Sequence, residues 1–180
     1  MRILAISGSL RARSTNTILL RAAAMLAPPG VDIVLYDGLG ELPHFNPDLD
    51  GEGAIAPPAV ADLRARVAAA DAVMICSPEY AHGVPGSLKN GLDWLVASTA
   101  LSDKPVALVN ASPRSLFAQK QLAETLRTMA ARVVPDASVD VPTSGKRLDE
   151  EGMIADASIA GPIRAAIAAL VAAPPAAAES

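Results

Sequence analysis

Nine residues at positions 8–16, "GSLRARSTN", gather hydroxyls, an amide, two guanidinium groups and a glycine into one turn. A short apolar run precedes them and a helical pattern follows. Gly8 permits a tight turn, and Ser14 is placed to cap the next helix. The free N–H groups and the dipole of a helix start favour an anion there. Ser9, Ser14, Thr15 and Asn16 add neutral donors, while Arg11 and Arg13 add positive charge. The set suits a phosphate monoester, a dianion with three acceptor oxygens; the plainer alternative is a capped strand–helix turn. Neither G-x-x-x-x-G-K-[ST] nor G-x-G-x-x-G occurs, which sets aside nucleotides held by a P-loop and the dinucleotide fingerprint.

A second stretch, "SPEYAHGVPG" at 77–86, runs on into "SLKNGLDW" at 87–94. Pro78, Gly83, Pro85 and Gly86 impose an irregular backbone whose N–H and C=O groups cannot all pair internally. Such groups suit the edge of a planar heterocycle, and Tyr80 offers a ring to pack beside one. Trp94 reads as core. The third stretch, "NASPRS" at 110–115, again brings hydroxyls and an arginine.

The elements that must position these stretches alternate along the chain. Residues 2–7, 31–36, 71–77 and 105–111 read as apolar strands, and a weaker, proline-marked fifth begins at Val133. Between them run helical patterns: Ile18, Leu19, Ala22, Met25 and Leu26; Val60, Leu63 and Val67; Leu88, Leu92, Leu95 and Val96; Leu122, Leu126 and Met129. A last helix carries Ile159, Ile163, Ile167 and Leu170. Residues 147–153, "RLDEEGM", read as a solvated loop. Strands apolar on both faces and separated by helices imply a parallel sheet covered on two sides, an α/β three-layer sandwich of one domain. In an open parallel sheet, ligands bind beyond the carboxyl ends of the strands. For the flavodoxin-like order 2-1-3-4-5 the crevice lies between strands one and three. All three unusual stretches fall on that edge.

Totals narrow the function further. A net charge of −4 and an aromatic content of 3% argue against a nucleic-acid surface. No apolar run reaches the ~18 residues of a membrane span, and the chain enters a strand without a signal-peptide pattern, so a cytoplasmic location is expected. The single cysteine, Cys76, excludes an internal disulfide and reads as a small buried hydrophobe; no spacing supports a metal.

The motifs at 8–16 and 77–94 together resemble the NADPH-dependent FMN reductases, a flavodoxin-like family of flavin, quinone, chromate and azo-dye reductases. The similarity extends over residues 2–170. It implies a flavodoxin-like FMN-binding domain over residues 1–172, with 173–180 an Ala/Pro-rich frayed tail. It further implies that Ser9, Leu10, Arg11, Ser14, Thr15 and Asn16 bind the FMN phosphate. Pro78, Glu79, Tyr80 and Ala81 would follow the isoalloxazine edge, with Ser112 touching the flavin from strand four. NADPH or NADH would be the co-substrate and a small molecule the acceptor. Homodimers or homotetramers are expected, with residues 88–94 near a subunit contact. Where many members have Asn after Pro-Glu-Tyr, this chain has Ala81 and His82, and Pro113-Arg114 replaces a glycine-rich turn.

Tyr80 and His82 are the catalytic candidates. His82 could donate a proton to a reduced acceptor or be a plain surface histidine. His44 could line the acceptor entrance or do nothing. Arg114 could meet the nicotinamide cofactor's phosphates or only solvent. Of five aromatic residues, only Tyr80 lies in a loop assigned to the flavin, and so thinly clamped a ring favours an enzyme over an electron shuttle. A flavodoxin-type shuttle without NAD(P)H oxidation is the alternative. A hydrolase built on Ser9, His82 and Asp93 is disfavoured because the G-x-S-x-G elbow is missing.

Overall fold

The structure, a computed structural model, describes residues 1–51 and 53–173. Five parallel strands run in the order β2-β1-β3-β4-β5: β1 (Arg2–Ser7), β2 (Asp32–Tyr36), β3 (Ala72–Cys76), β4 (Pro105–Asn110) and β5 (Arg132–Val133). A sixth, β6 (Val139–Asp140), also pairs with β4. Six α-helices cover the sheet: α1 (Thr15–Met25), α2 (Pro58–Ala69), α3 (Gly86–Leu95), α4 (Leu116–Thr128), α5 (Glu150–Ala155) and α6 (Ala157–Ala172). The expected order and α/β layering are thus present, with one strand more than the sequence suggested. Of the expected tail, residues 174–180 lie outside the described residues. No described helix is long and apolar enough to cross a membrane.

Alternation along each strand divides the core in two. Ile3, Ala5, Met74, Cys76, Ala107 and Val109 face α1 and α6, while Leu4, Ile6, Val73, Ile75, Val106 and Leu108 face α2, α3 and α4. Both sets are buried, so every central strand is apolar throughout, as a doubly covered parallel sheet requires.

Four local readings need correction. Met25 and Val96 are exposed, not core: Met25 closes the last turn of α1, and Val96 lies just past the end of α3. The fifth strand is broken. Pro135, without an N–H, opens a 3₁₀ turn at Pro135–Ala137, and the Ser138 hydroxyl accepts the Leu108 N–H that an unbroken strand would have taken. Residues 150–153 of the expected loop are the first turn of α5, because the Asp149 carboxylate accepts the Gly152 N–H and acids crowd its positive end. Ser14 occupies the N-cap of α1, but its hydroxyl makes no capping bond.

Candidate active site at the carboxyl edge of the sheet

β1 and β3 are neighbours, and their ends diverge from a point of contact. The Gly8 N–H donates to the Cys76 carbonyl at 2.9 Å, and a Cβ on Gly8 would lie 2.4 Å from Ser77 Oγ. Only glycine lets the two loops leave the sheet this close together.

The loop after β1 is tied down by its own hydroxyls. Ser7 Oγ accepts from Thr17 Oγ1 at 2.8 Å and from the Ser9 N–H at 3.3 Å. Ser9 Oγ in turn accepts from the Arg11 N–H at 3.4 Å. The side chains of Arg11 and Arg13 have no partner among the described residues, and both residues are exposed. Ser14 is 3% exposed, yet its Oγ is one of two buried side-chain polar atoms without a hydrogen bond among the described residues; Tyr36 Oη is the other. Native interiors rarely leave such a group unsatisfied. Beside it, Asn16 is buried, and its Oδ1 accepts from the Cys76 thiol at 3.1 Å. Burial pushes that thiol far above its usual pKa, so it stays a protonated donor rather than a nucleophile.

The loop after β3 is held by backbone and by α4. Tyr80 and Gly83 exchange both N–H···O bonds, at 3.0 and 2.9 Å, around Ala81 and His82, whose φ angles are +49° and +59°. Two left-handed central residues make this a type I′ turn built without glycine at either position. The Glu79 carboxylate accepts the Phe117 and Ala118 N–H groups, both at 2.9 Å, capping α4 in place of a side chain at its own N-cap. Gln121 Oε1 takes the Val84 N–H at 2.8 Å. The side chain of Glu79 is therefore engaged by α4, and of the backbone groups in residues 78–81 those of Glu79 and Ala81 are left without a partner among the described residues. His82 stacks on Phe117 with ring centroids 4.3 Å apart. Phe117 thus joins Tyr80 at this rim, more than half exposed, so the aromatic set here is larger than the sequence indicated.

After β4, Ser112 O accepts from the Ser115 N–H and Ser112 Oγ from the Arg114 N–H, leaving Arg114 exposed. His44 is exposed too, on a loop pinned by Asn90 and by the Trp94 indole, which donates to Pro43 O at 2.8 Å. Trp94 is fully buried, as its core reading expected. Leu88 and Leu92 are buried with it, so within residues 88–94 only Lys89, Asn90 and Asp93 are partly exposed, and Asn90 is bound to the loop at 43–45.

An open groove of about 440 Å³ runs over this edge. Of the expected residues it is lined by Thr15, Asn16, Pro78, Glu79 and Ser112; Ser9, Leu10, Arg11, Ser14, Tyr80 and Ala81 are not part of its lining. It adds Ser115, from the polar stretch 110–115, residues 143–146, to which the sequence assigned no role, and Arg147, expected in a solvated loop. The available signal was position: "TSGKR" follows the last strand and so had to emerge on the same edge.

A parallel sheet in this order, with its polar loops and an unsatisfied hydroxyl gathered at the carboxyl edge, defines a flavodoxin-like α/β protein. The chain belongs to the NADPH-dependent FMN reductase family, whose pattern it matches over residues 1–146. It is 35% identical over 161 residues to an NAD(P)H-dependent FMN reductase of Pseudomonas aeruginosa, covering 87% of this chain and 85% of the relative. It is 40% identical over 114 residues to an NADPH:quinone oxidoreductase of Arabidopsis thaliana, covering 61% of this chain and 57% of that one. Among solved structures it resembles FerB, a flavoenzyme NAD(P)H:(acceptor) oxidoreductase from Paracoccus denitrificans, with a TM-score of 0.75, 26% identity and 94% of each chain covered. The chain is accordingly an NAD(P)H-dependent oxidoreductase of the FMN and quinone reductase type, and its family works with FMN and NAD(P)H.

Proposed function

We propose that this protein keeps FMN as a bound cofactor and uses NADPH or NADH to reduce a small acceptor such as a quinone, a free flavin, chromate or an azo compound. The observation that carries the reading is Ser14 Oγ, buried and unpaired at the start of α1, with two unpaired guanidinium groups in the loop just before it. A phosphate there would give the orphaned hydroxyl an acceptor and would lie against the free N–H groups of the helix.

Bound FMN supplies a two-electron carrier between nicotinamide and acceptor. The chain's own part is placement. Ser9, Ser14, Thr15, Asn16 and Arg11 hold the phosphate, with Leu10 between them. The segment Pro78, Glu79, Tyr80 and Ala81 follows the ring edge, with the backbone groups of Glu79 and Ala81 open to it because those of Tyr80 are paired with Gly83, while the Glu79 side chain keeps the loop against α4. Ser112 closes the site from β4. Tyr80 and His82 stand at the open rim, where the imidazole of His82 can pass a proton to an acceptor. The exposed rim of Leu10, Tyr80, Leu116 and Phe117 favours assembly as a homodimer or homotetramer.

The test is a visible spectrum of the full-length protein as purified, followed by anaerobic addition of NADPH. Flavin bands that bleach support the reading. A protein that takes up no FMN would overturn it, and one whose bound flavin stays oxidised would point to a shuttle instead.

A further inference from the structure

Beyond the loops after β1, β3 and β4, the groove is lined by residues 143–147, between β6 and α5. We infer that this turn is the second half of the anion site: sharing the groove with the start of α1, it clasps the same phosphate, with Arg147 supplying the charge and Ser144 a neutral contact. The inference rests on the FMN reading above and adds the residues that decide which end of the ligand lies in the groove.

The turn is held in place by groups other than those it offers. The Val141 N–H donates to Asn110 O at 2.8 Å, and Thr143 Oγ1, buried, donates to Ala111 O at 2.6 Å. The Lys146 N–H closes the turn on Thr143 O at 3.0 Å, with Gly145 at φ +78° supplying the left-handed residue. Lys146 Nζ reaches Asp156 Oδ2 at 2.5 Å and Ser158 Oγ at 3.0 Å, so its charge is already met on the side of α6. What remains is the Ser144 hydroxyl, the N–H groups of Ser144 and Gly145, and the Arg147 guanidinium. None of these has a partner among the described residues.

The same groove is lined by Thr15 and Asn16, the first two residues of α1, which follow the buried, unpaired hydroxyl of Ser14. The one carboxylate on the groove lining, Glu79, is engaged by the amides of α4. A dianion in the groove would therefore meet both a helix start and a free guanidinium. Guanidinium binds phosphate through paired, charge-assisted hydrogen bonds, a geometry that an ammonium does not reproduce.

The experiment titrates flavin-free, full-length protein with FMN and, separately, with riboflavin, which lacks the phosphate. At low salt Arg147→Ala is expected to weaken FMN by about tenfold, the loss of one charge-assisted contact at an exposed site, and to leave riboflavin within about twofold. Arg147→Lys should recover part of the loss, and added salt should shrink the difference. The flavin-free melting temperature should not move, because Arg147 supports nothing in the fold. Unchanged FMN affinity in Arg147→Ala would overturn the inference while leaving the FMN reading intact. So would an equal loss for both flavins, or a change confined to the KM for NADPH. A wild-type protein that binds riboflavin as tightly as FMN would remove the phosphate site altogether, this half included.

Discussion

Just before β4, at the amino edge of the sheet, Lys104 buries its ammonium against three carbonyl oxygens at the end of α2: Val67 O at 2.8 Å, Ala68 O at 3.3 Å and Ala70 O at 2.6 Å. At the carboxyl edge, Arg11, Arg13, Arg114 and Arg147 end without a partner among the described residues, and Ser14 Oγ is buried unpaired. Other groups at the amino edge also find partners within the chain, though at more exposed positions than Lys104. Asp71 Oδ2 accepts the Arg2 N–H at 2.6 Å, and the cavity of about 170 Å³ between β1, β2 and α2 has its arginines, Arg2 and Arg66, paired with Asp32 and Asp62. One edge closes α2 with internal partners; the other presents α1 with its donors unmet. Stability is concentrated where groups are satisfied, and binding is possible where they are not.

Substitutions should separate the two edges. The largest effect is expected at Lys104→Ala, which strips the carbonyls at the end of α2 of a charged donor. Burial already holds the pKa of this ammonium below the usual lysine value, with Asp71 opposing the fall, so the hydrogen bonds are what keep it in place. A loss of about 2–3 kcal/mol in denaturant unfolding is expected, with FMN affinity in the surviving folded protein unaltered. Equal losses of stability and affinity would mean that the two edges are not independent.

Arg11→Ala should do the reverse. FMN binding should weaken by about tenfold at low salt, some 1.4 kcal/mol, while flavin-free unfolding stays as in the wild type. Full affinity in a folded variant would remove Arg11 from the anion site.

The smallest effect concerns the tie that crosses from the carboxyl edge to α6. Hydrogen bonds from Lys146 and Ser158 hold the Asp156 carboxyl at about 2, below the usual 3.8. Because the folded-state value is the lower one, this contribution is complete above the unfolded-state pKa and disappears as pH falls toward about 2. Asp156→Asn keeps an oxygen for the helix cap but not the charge, so the stability profile should flatten in that acid window. An identical acid limb in wild type and variant would show that the ion pair does not couple turn 143–147 to the fold.

Much of the fold was legible because its cues are local. Val73, Met74 and Ile75 are apolar on both sides of one strand, and Leu122 and Leu126 recur at helical spacing; each cue sits within a few residues. The lapses are local too: Met25 and Val96 satisfied a helical period without facing the core, since period alone does not say where the helix ends. In the site, the position of Ser14 suits a cap, but its hydroxyl is unpaired, a distinction that depends on the direction of one Cβ–Oγ bond.

The sequence by itself determined the alternation of strands and helices, the edge on which the polar loops emerge and the concentration of donors in residues 8–16, because backbone periodicity and side-chain chemistry are properties of neighbours along the chain. Only the tertiary structure decided that Glu79 caps a helix 38 residues away, that His82 rests on Phe117, and that Arg147 lines the same groove as Thr15. Those pairings join segments far apart in sequence, and their geometry is fixed by how the whole sheet twists and packs rather than by any short run of residues.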